Sequence, residues 1–135
     1  WRPNLPLDLD HLAEEVEDLG LRERREARSQ IRRIIEHLLK LEYSAASDPR
    51  GGWADSVIDG RAILKDALTA TLRRDVEDQL ARQFEDARRK AATALRAHGE
   101  TDAASALPTS CPYGLDQILQ DDWYPLNRHA LIDPL

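Results

Sequence analysis

The chain has 135 residues, 41% of them apolar and 33% charged, with 25 acidic against 19 basic side chains and a net charge of −6. That length suits one domain able to bury roughly two thirds of its unfolded surface, and the acidic balance disfavours sequence-independent binding to nucleic acid. A lone cysteine, Cys111, excludes an internal disulfide and a cysteine-built zinc site, and no run approaches the ~18 apolar residues of a membrane span.

Leu, Ala, Arg, Glu and Asp dominate while β-branched and aromatic residues are scarce, a bias toward helix over sheet. No signal-peptide pattern opens the chain, which starts at Trp1 without an initiator methionine and so leaves room for a missing native N-terminus. Pro3 and Pro6 predict an extended entry. A first helix is expected from about Leu9 to Leu19. Asp8 is a suitable N-cap, Leu9, Leu12, Val16 and Leu19 recur at helical spacing, and Gly20 is a natural stop.

A second helix is expected from about Leu21 to Tyr43, with Ala27, Ile31, Ile34, Ile35, Leu38 and Leu41 as its apolar stripe. The Ser-, Asp-, Pro- and Gly-bearing stretch Ser44 to Gly52 turns the chain. The third helix begins near Trp53 and carries Trp53, Val57, Leu64 and Leu68 inward, with Gly60 weakening its middle by about 1 kcal/mol relative to alanine. In the fourth, Leu72, Val76, Leu80, Phe84, Ala87, Ala91 and Leu95 recur every three or four residues from about Thr71 to His98, and Gly99 ends it.

Asp102 to Ala106 reads as a short helical turn closed by Pro108, Ser110 to Gly114 as a turn, and Leu115 to Gln120 as a short helix. The tail from Asp121 to Leu135, with Trp123, Tyr124, Pro125 and Pro134, is expected to lie extended against the rest. The fold expected is all-α: an antiparallel bundle of about four main helices with a short C-terminal helix and an extended tail, forming a single domain over residues 1–135.

Three stretches carry a family resemblance when taken together: Leu12-Ala13-Glu14-Glu15-Val16-Glu17-Asp18-Leu19-Gly20, His37-Leu38-Leu39-Lys40, and Cys111-Pro112-Tyr113 leading to Asp121-Asp122-Trp123-Tyr124-Pro125. In this order, with Phe84-Glu85-Asp86-Ala87-Arg88 between, the chain resembles the bacterial family called "domain of unknown function 29" over roughly residues 7 to 125. The resemblance implies a helical architecture and a bacterial, cytoplasmic origin, and it carries no assigned activity. The segment before the first helix holds little of the aromatic-rich helix usual in that family, and the tail past Pro125 is longer than usual.

Several clusters are candidates for chemistry. Glu14, Glu15, Glu17 and Asp18 could supply metal oxygens or a general base, but they fan around the helix as solvated acidic residues do. His11 and Glu15, with His37 from a neighbouring helix, could converge on one ion if consecutive helices meeting at Gly20 pack side by side. Arg32 and His37, four residues intervening, are spaced like the arginine and histidine of the helical ribonuclease toxins called HEPN domains. Arg25, Arg28 and Arg32 form a stripe able to grip a phosphate or an acidic partner, although Glu23 and Glu26 interleave with it. Cys111 lacks an obligate base in sequence and is expected to be a small packed residue.

The expected function is a non-catalytic helical module that binds another protein, or itself, without a cofactor, a membrane or nucleic acid. Arg25, Arg28 and Arg32 are its candidate contacts. The alternative is a hydrolase, metal-dependent through His11, Glu15 and His37 or RNase-like through Arg32 and His37.

Overall fold

Leu9 and Ala27 stand eighteen positions apart, about five full helical turns, so the apolar stripe of the expected first helix is in phase with that of the second. The computed structural model describes the backbone of residues 5–132 and the side chains of residues 9–132. In it the two stripes belong to a single helix, α1 (Leu5–Tyr43). Gly20 lies inside α1 and does not end it. Leu19, Leu21, Arg22 and Glu23 around it are good helix formers, and nothing after it favours a left-handed cap over continuation.

Two further expectations fall with that stop. Asp8 sits within α1 and does not precede it, and Pro6 occupies its first turn, where a missing N–H leaves no bond unmade. The extended entry expected at Pro3 and the tail end at Pro134 lie outside the described residues.

The remaining helices are α2 (Arg50–Ala67), α3 (Ala70–Asp78), α4 (Leu80–Ala97), α5 (Thr101–Ala106) and α6 (Leu115–Leu119), and the described residues contain no strand. The protein is all-α, as its composition predicts. The expected fourth helix is interrupted at Gln79, whose φ of −95° and ψ of 2° leave the α region. Hydrogen bonding nevertheless continues through the interruption, from Gln79 N–H to the Asp75 carbonyl and from Gln83 N–H to the Gln79 carbonyl, each 3.0 Å. Thr69 starts α3 by accepting the Leu72 N–H on its hydroxyl at 3.2 Å.

Side-chain contacts fix the direction of each helix. Arg50 meets the Leu41 carbonyl and Gly60 meets Ile34, so α2 runs antiparallel to α1. Arg28 pairs with Asp75, Arg32 with Gln83 and Ser44 with Glu100, so α3 and α4 run parallel to it. The bundle is therefore built on three lines of helix, and the expected set of four is reduced because its first two members are one. Its core is filled by Ile31, Ile34, Ile35, Leu38 and Leu39 of α1 against Val57 and Leu64, Val76, and Phe84, Ala87, Ala91 and Leu95.

Two devices fasten the C-terminal third. The Arg61 guanidinium, 3% exposed, donates to the carbonyls of Ile118 (2.8 Å), Gln117 (3.1 Å) and Trp123 (2.9 Å), which holds α6 on α2. The tail then caps α1, whose last carbonyls have no partner within their own helix. Asn127 Nδ2 donates to Leu41 and Ser44, both at 2.8 Å, the Arg128 N–H to Glu42 at 2.8 Å, and His129 Nε2 to Tyr43 at 3.1 Å. These bonds hold residues 127–129 of the expected tail against the bundle, whereas Leu126 and Ile132 stand exposed, turns at 121–122 and 128–129 interrupt the expected extended course, and residues 133–135 lie outside the described residues.

Candidate interaction surface

The fusion of the first two expected helices decides the fate of the candidate metal set. His11 and His37 ride on the same rod 26 positions apart, about 39 Å at the rise of an α-helix. His11 and Glu15 are one turn apart and exposed, and the structure does not bring His37 to them. Among the described residues no three His, Cys, Asp or Glu side chains gather closely enough to hold an ion.

Arg32 and His37 are likewise not assembled. Five positions along a helix separate side chains by about 140°, and each has its own partner. Arg32 Nη1 donates to Gln83 Oε1 at 3.1 Å. His37 lies 2.7 Å from the Arg33 carbonyl through Nδ1, which must carry the proton because a carbonyl can only accept. Burial lowers the His37 pKa from its ordinary 6.5, outweighing the backbone hydrogen bond and the Glu36 carboxylate, which both favour the charged ring.

The arginine stripe divides in the same way. Arg28 forms a two-pronged pair with Asp75, Nε to Oδ2 at 2.9 Å and Nη2 to Oδ1 at 2.7 Å, which raises the pKa of the arginine and lowers that of the aspartate. Arg25 remains exposed. Two of the three arginines are thus engaged in holding α3 and α4 to α1. Cys111 is half-buried, its thiol donating to the Tyr113 carbonyl at 3.3 Å, and burial raises its pKa away from the reactive thiolate.

An apolar-walled cleft of about 540 Å³ opens where α1 ends, α2 begins and α4 ends, between Lys40, Pro49, Trp53, Leu95, His98 and Glu100. Two of its charged groups are engaged within the fold. Lys40 Nζ donates to Glu36 Oε2 at 2.8 Å and lies 6.0 Å from the Trp53 ring centre, while the Glu100 carboxylate accepts the Ser44 hydroxyl and the Ala45 N–H.

A different surface stands out. Contacts of α2 and α3 reach back along α1 to about Gln30 and Arg28, and beyond them the N-terminal part of α1 projects as an arm. Along it Leu9, Leu12, Val16 and Leu19 are 56%, 54%, 65% and 55% exposed, a row of large apolar side chains on one side of a helix. Ala27 continues the row into the core, where it is buried. One amphipathic face therefore serves two ends of α1, packed at one and uncovered at the other. Sequence reasoning found this stripe through its spacing. It placed the helix that carries the stripe in the bundle, because spacing does not say whether another element is there to cover it.

The family of this fold is given by comparison with known proteins. Residues 4–124 match the model of the family described as "Domain of unknown function DUF29". The chain belongs to the DUF29 family. The match takes in the arm, the six helices found among the described residues and the Arg61-held segment, and it stops just before the capping residues Asn127 to His129. No curated protein and no solved structure matches the chain. No helix among its described residues is long and apolar enough to cross a membrane.

Proposed function

We propose that this DUF29 chain is a non-catalytic interaction module, a helical body that presents the arm of α1 to another protein in the bacterial cytoplasm. The observation that carries this reading is the row Leu9, Leu12, Val16 and Leu19, each more than half exposed on a helix whose other end uses the same face as core. Covering four half-exposed side chains of this size is worth on the order of 4 kcal/mol of transfer free energy, a gain that a docked partner would supply. Helix-in-groove recognition uses anchors at this spacing. The separation of His11 from His37, and the engagement of Arg28, Arg32 and His37 with the fold itself, support an interaction role over a hydrolytic one. The family and the single cysteine favour the cytoplasmic setting.

The test is photo-crosslinking in host cells. A crosslinking amino acid at Leu12 is expected to give a defined adduct with another protein, and the same group at exposed Ser105 is not. A Leu12→Ser, Val16→Ser chain should keep its thermal transition and lose the partner. Absence of any protein adduct at Leu12 would remove the reading.

A further inference from the structure

The occupant of the arm is constrained by charge. Between Leu9 and Leu19 stand five carboxylates, Asp10, Glu14, Glu15, Glu17 and Asp18, and no lysine or arginine. At 100° per residue Glu15 borders the apolar row on one side, Asp10 and Glu17 border it on the other, and Glu14 and Asp18 lie behind. All five carboxylates are exposed. The apolar row is thus framed by negative charge on both flanks.

A second copy of the chain fits this frame poorly. The antiparallel alignment that matches the apolar rows sets Leu9 against Leu19 and Leu12 against Val16, and it brings the two Glu15 side chains together at the centre of the pair. Each arm would bring its five carboxylates to the other with no cation from the same stretch to offset them. An anionic lipid surface is disfavoured by the same charges, since interfacial helices carry lysine and arginine on their polar face.

Resting on the interaction reading above, we infer that the partner of the α1 arm is a basic protein surface: an apolar groove or helix stripe bordered by lysine and arginine. The apolar row supplies the contact area, and the flanking carboxylates supply attraction, register and discrimination against acidic or neutral surfaces.

The experiment uses the intact chain and two synthetic amphipathic helices of about 18 residues, five turns, with identical leucine stripes. One has lysine on the flanks and the other glutamate. The lysine-flanked helix is expected to bind, with amide shifts confined to residues 9–19 and an affinity that falls roughly tenfold as salt rises from about 50 to about 300 mM. The glutamate-flanked helix is expected to bind at least about tenfold more weakly, and Leu12→Ser, Val16→Ser to abolish both. Equal binding of the two peptides, binding of neither, or a chain that sediments as a dimer dissociated by Val16→Glu would overturn the inference.

The in-cell crosslink separates this failure from that of the parent reading. An adduct at Leu12 whose partner surface is acidic or uncharged sinks the charge assignment and leaves the interaction module standing. No adduct sinks both.

Discussion

Tyr113 and Glu42, 71 residues apart, form a buried pair in which the phenol donates to Oε1 at 2.9 Å. Arg128 completes the carboxylate from the other side, Nε to Oε2 at 3.0 Å, so α1, the turn before α6 and the tail meet at one side chain. Burial, reinforced by the charge of Glu42, pushes the Tyr113 phenol far above its ordinary value near 10. The folded chain therefore holds this proton more tightly than the unfolded chain does. Its contribution is complete below about pH 10 and is lost as pH rises beyond that, because the unfolded chain releases the proton first. Tyr113→Phe is expected to cost about 2 kcal/mol at neutral pH, the donor to a buried carboxylate being removed. It should also flatten the fall of stability between pH 9 and 11 in urea titrations. An unchanged alkaline slope would show that the phenol is not its source.

Arg61 binds three carbonyls and makes no ion pair among the described residues, and burial lowers its pKa from the usual arginine value against the opposing pull of the nearby Asp121 and Asp122. The ring of Tyr124 lies 5.4 Å from its guanidinium carbon and supplies some of the missing negative potential. Arg61→Leu is expected to destabilise the protein by about 3 kcal/mol, since it strands buried acceptors at the end of α6. Hydrogen exchange should accelerate first at residues 115–123, with α1 following only in global unfolding. Lysine, a point charge without the planar fork, should not restore the wild-type pattern. Uniform acceleration across all six helices would argue against a local clamp.

Helix content, the apolar stripes and the ends at Gly99 and Leu115 were legible because each is set by local spacing and by turn residues. Gly99 adopts a φ of +81°, as a helix-ending glycine should. Gly20 has the same identity and the opposite outcome, because the stripe of Leu9 to Leu19 stays in phase with that of Ala27 to Leu41. The phase of the two stripes carries across the glycine and outweighs an isolated stop signal. The interruption at Gln79 had no such signal, being neither a proline nor a glycine. The pairing of Arg28 with Asp75 and of Arg61 with the α6 carbonyls depends on contacts 47 and 57 residues apart, which periodicity does not report. The arm's stripe was visible and its exposure was not, since exposure depends on how far α2 and α3 reach along α1.

Gly60 shows why a helix-weakening residue stands in the middle of α2. A β-carbon there would lie 2.8 Å from Ile34 Cγ1 and 3.3 Å from its Cδ1, so the glycine permits α1 and α2 to approach. Alanine would gain about 1 kcal/mol of helix propensity and lose about 1–3 kcal/mol to overpacking of a fully buried isoleucine. The net expectation for Gly60→Ala is a destabilisation of about 1 kcal/mol, read as a lower urea midpoint at constant slope. A stabilised protein would mean that Ile34 shifts freely, contrary to its burial.

Gly20 is the opposite case, because the arm has room. A β-carbon at Gly20 would meet only Arg24 Nη1 at 3.5 Å, an ordinary contact. Gly20→Ala should therefore stabilise the arm locally by about 1 kcal/mol, the full propensity difference. Its effect belongs in local opening, since residues 9–19 lack tertiary packing and open before the bundle does. Amide exchange across the arm is expected to slow roughly fivefold, while the urea midpoint of the whole protein stays put. If exchange in the arm does not change, the arm opens at its tip without Gly20 taking part. If the midpoint rises as well, the arm is covered by the body in solution, and the docking surface proposed for it is occupied from within.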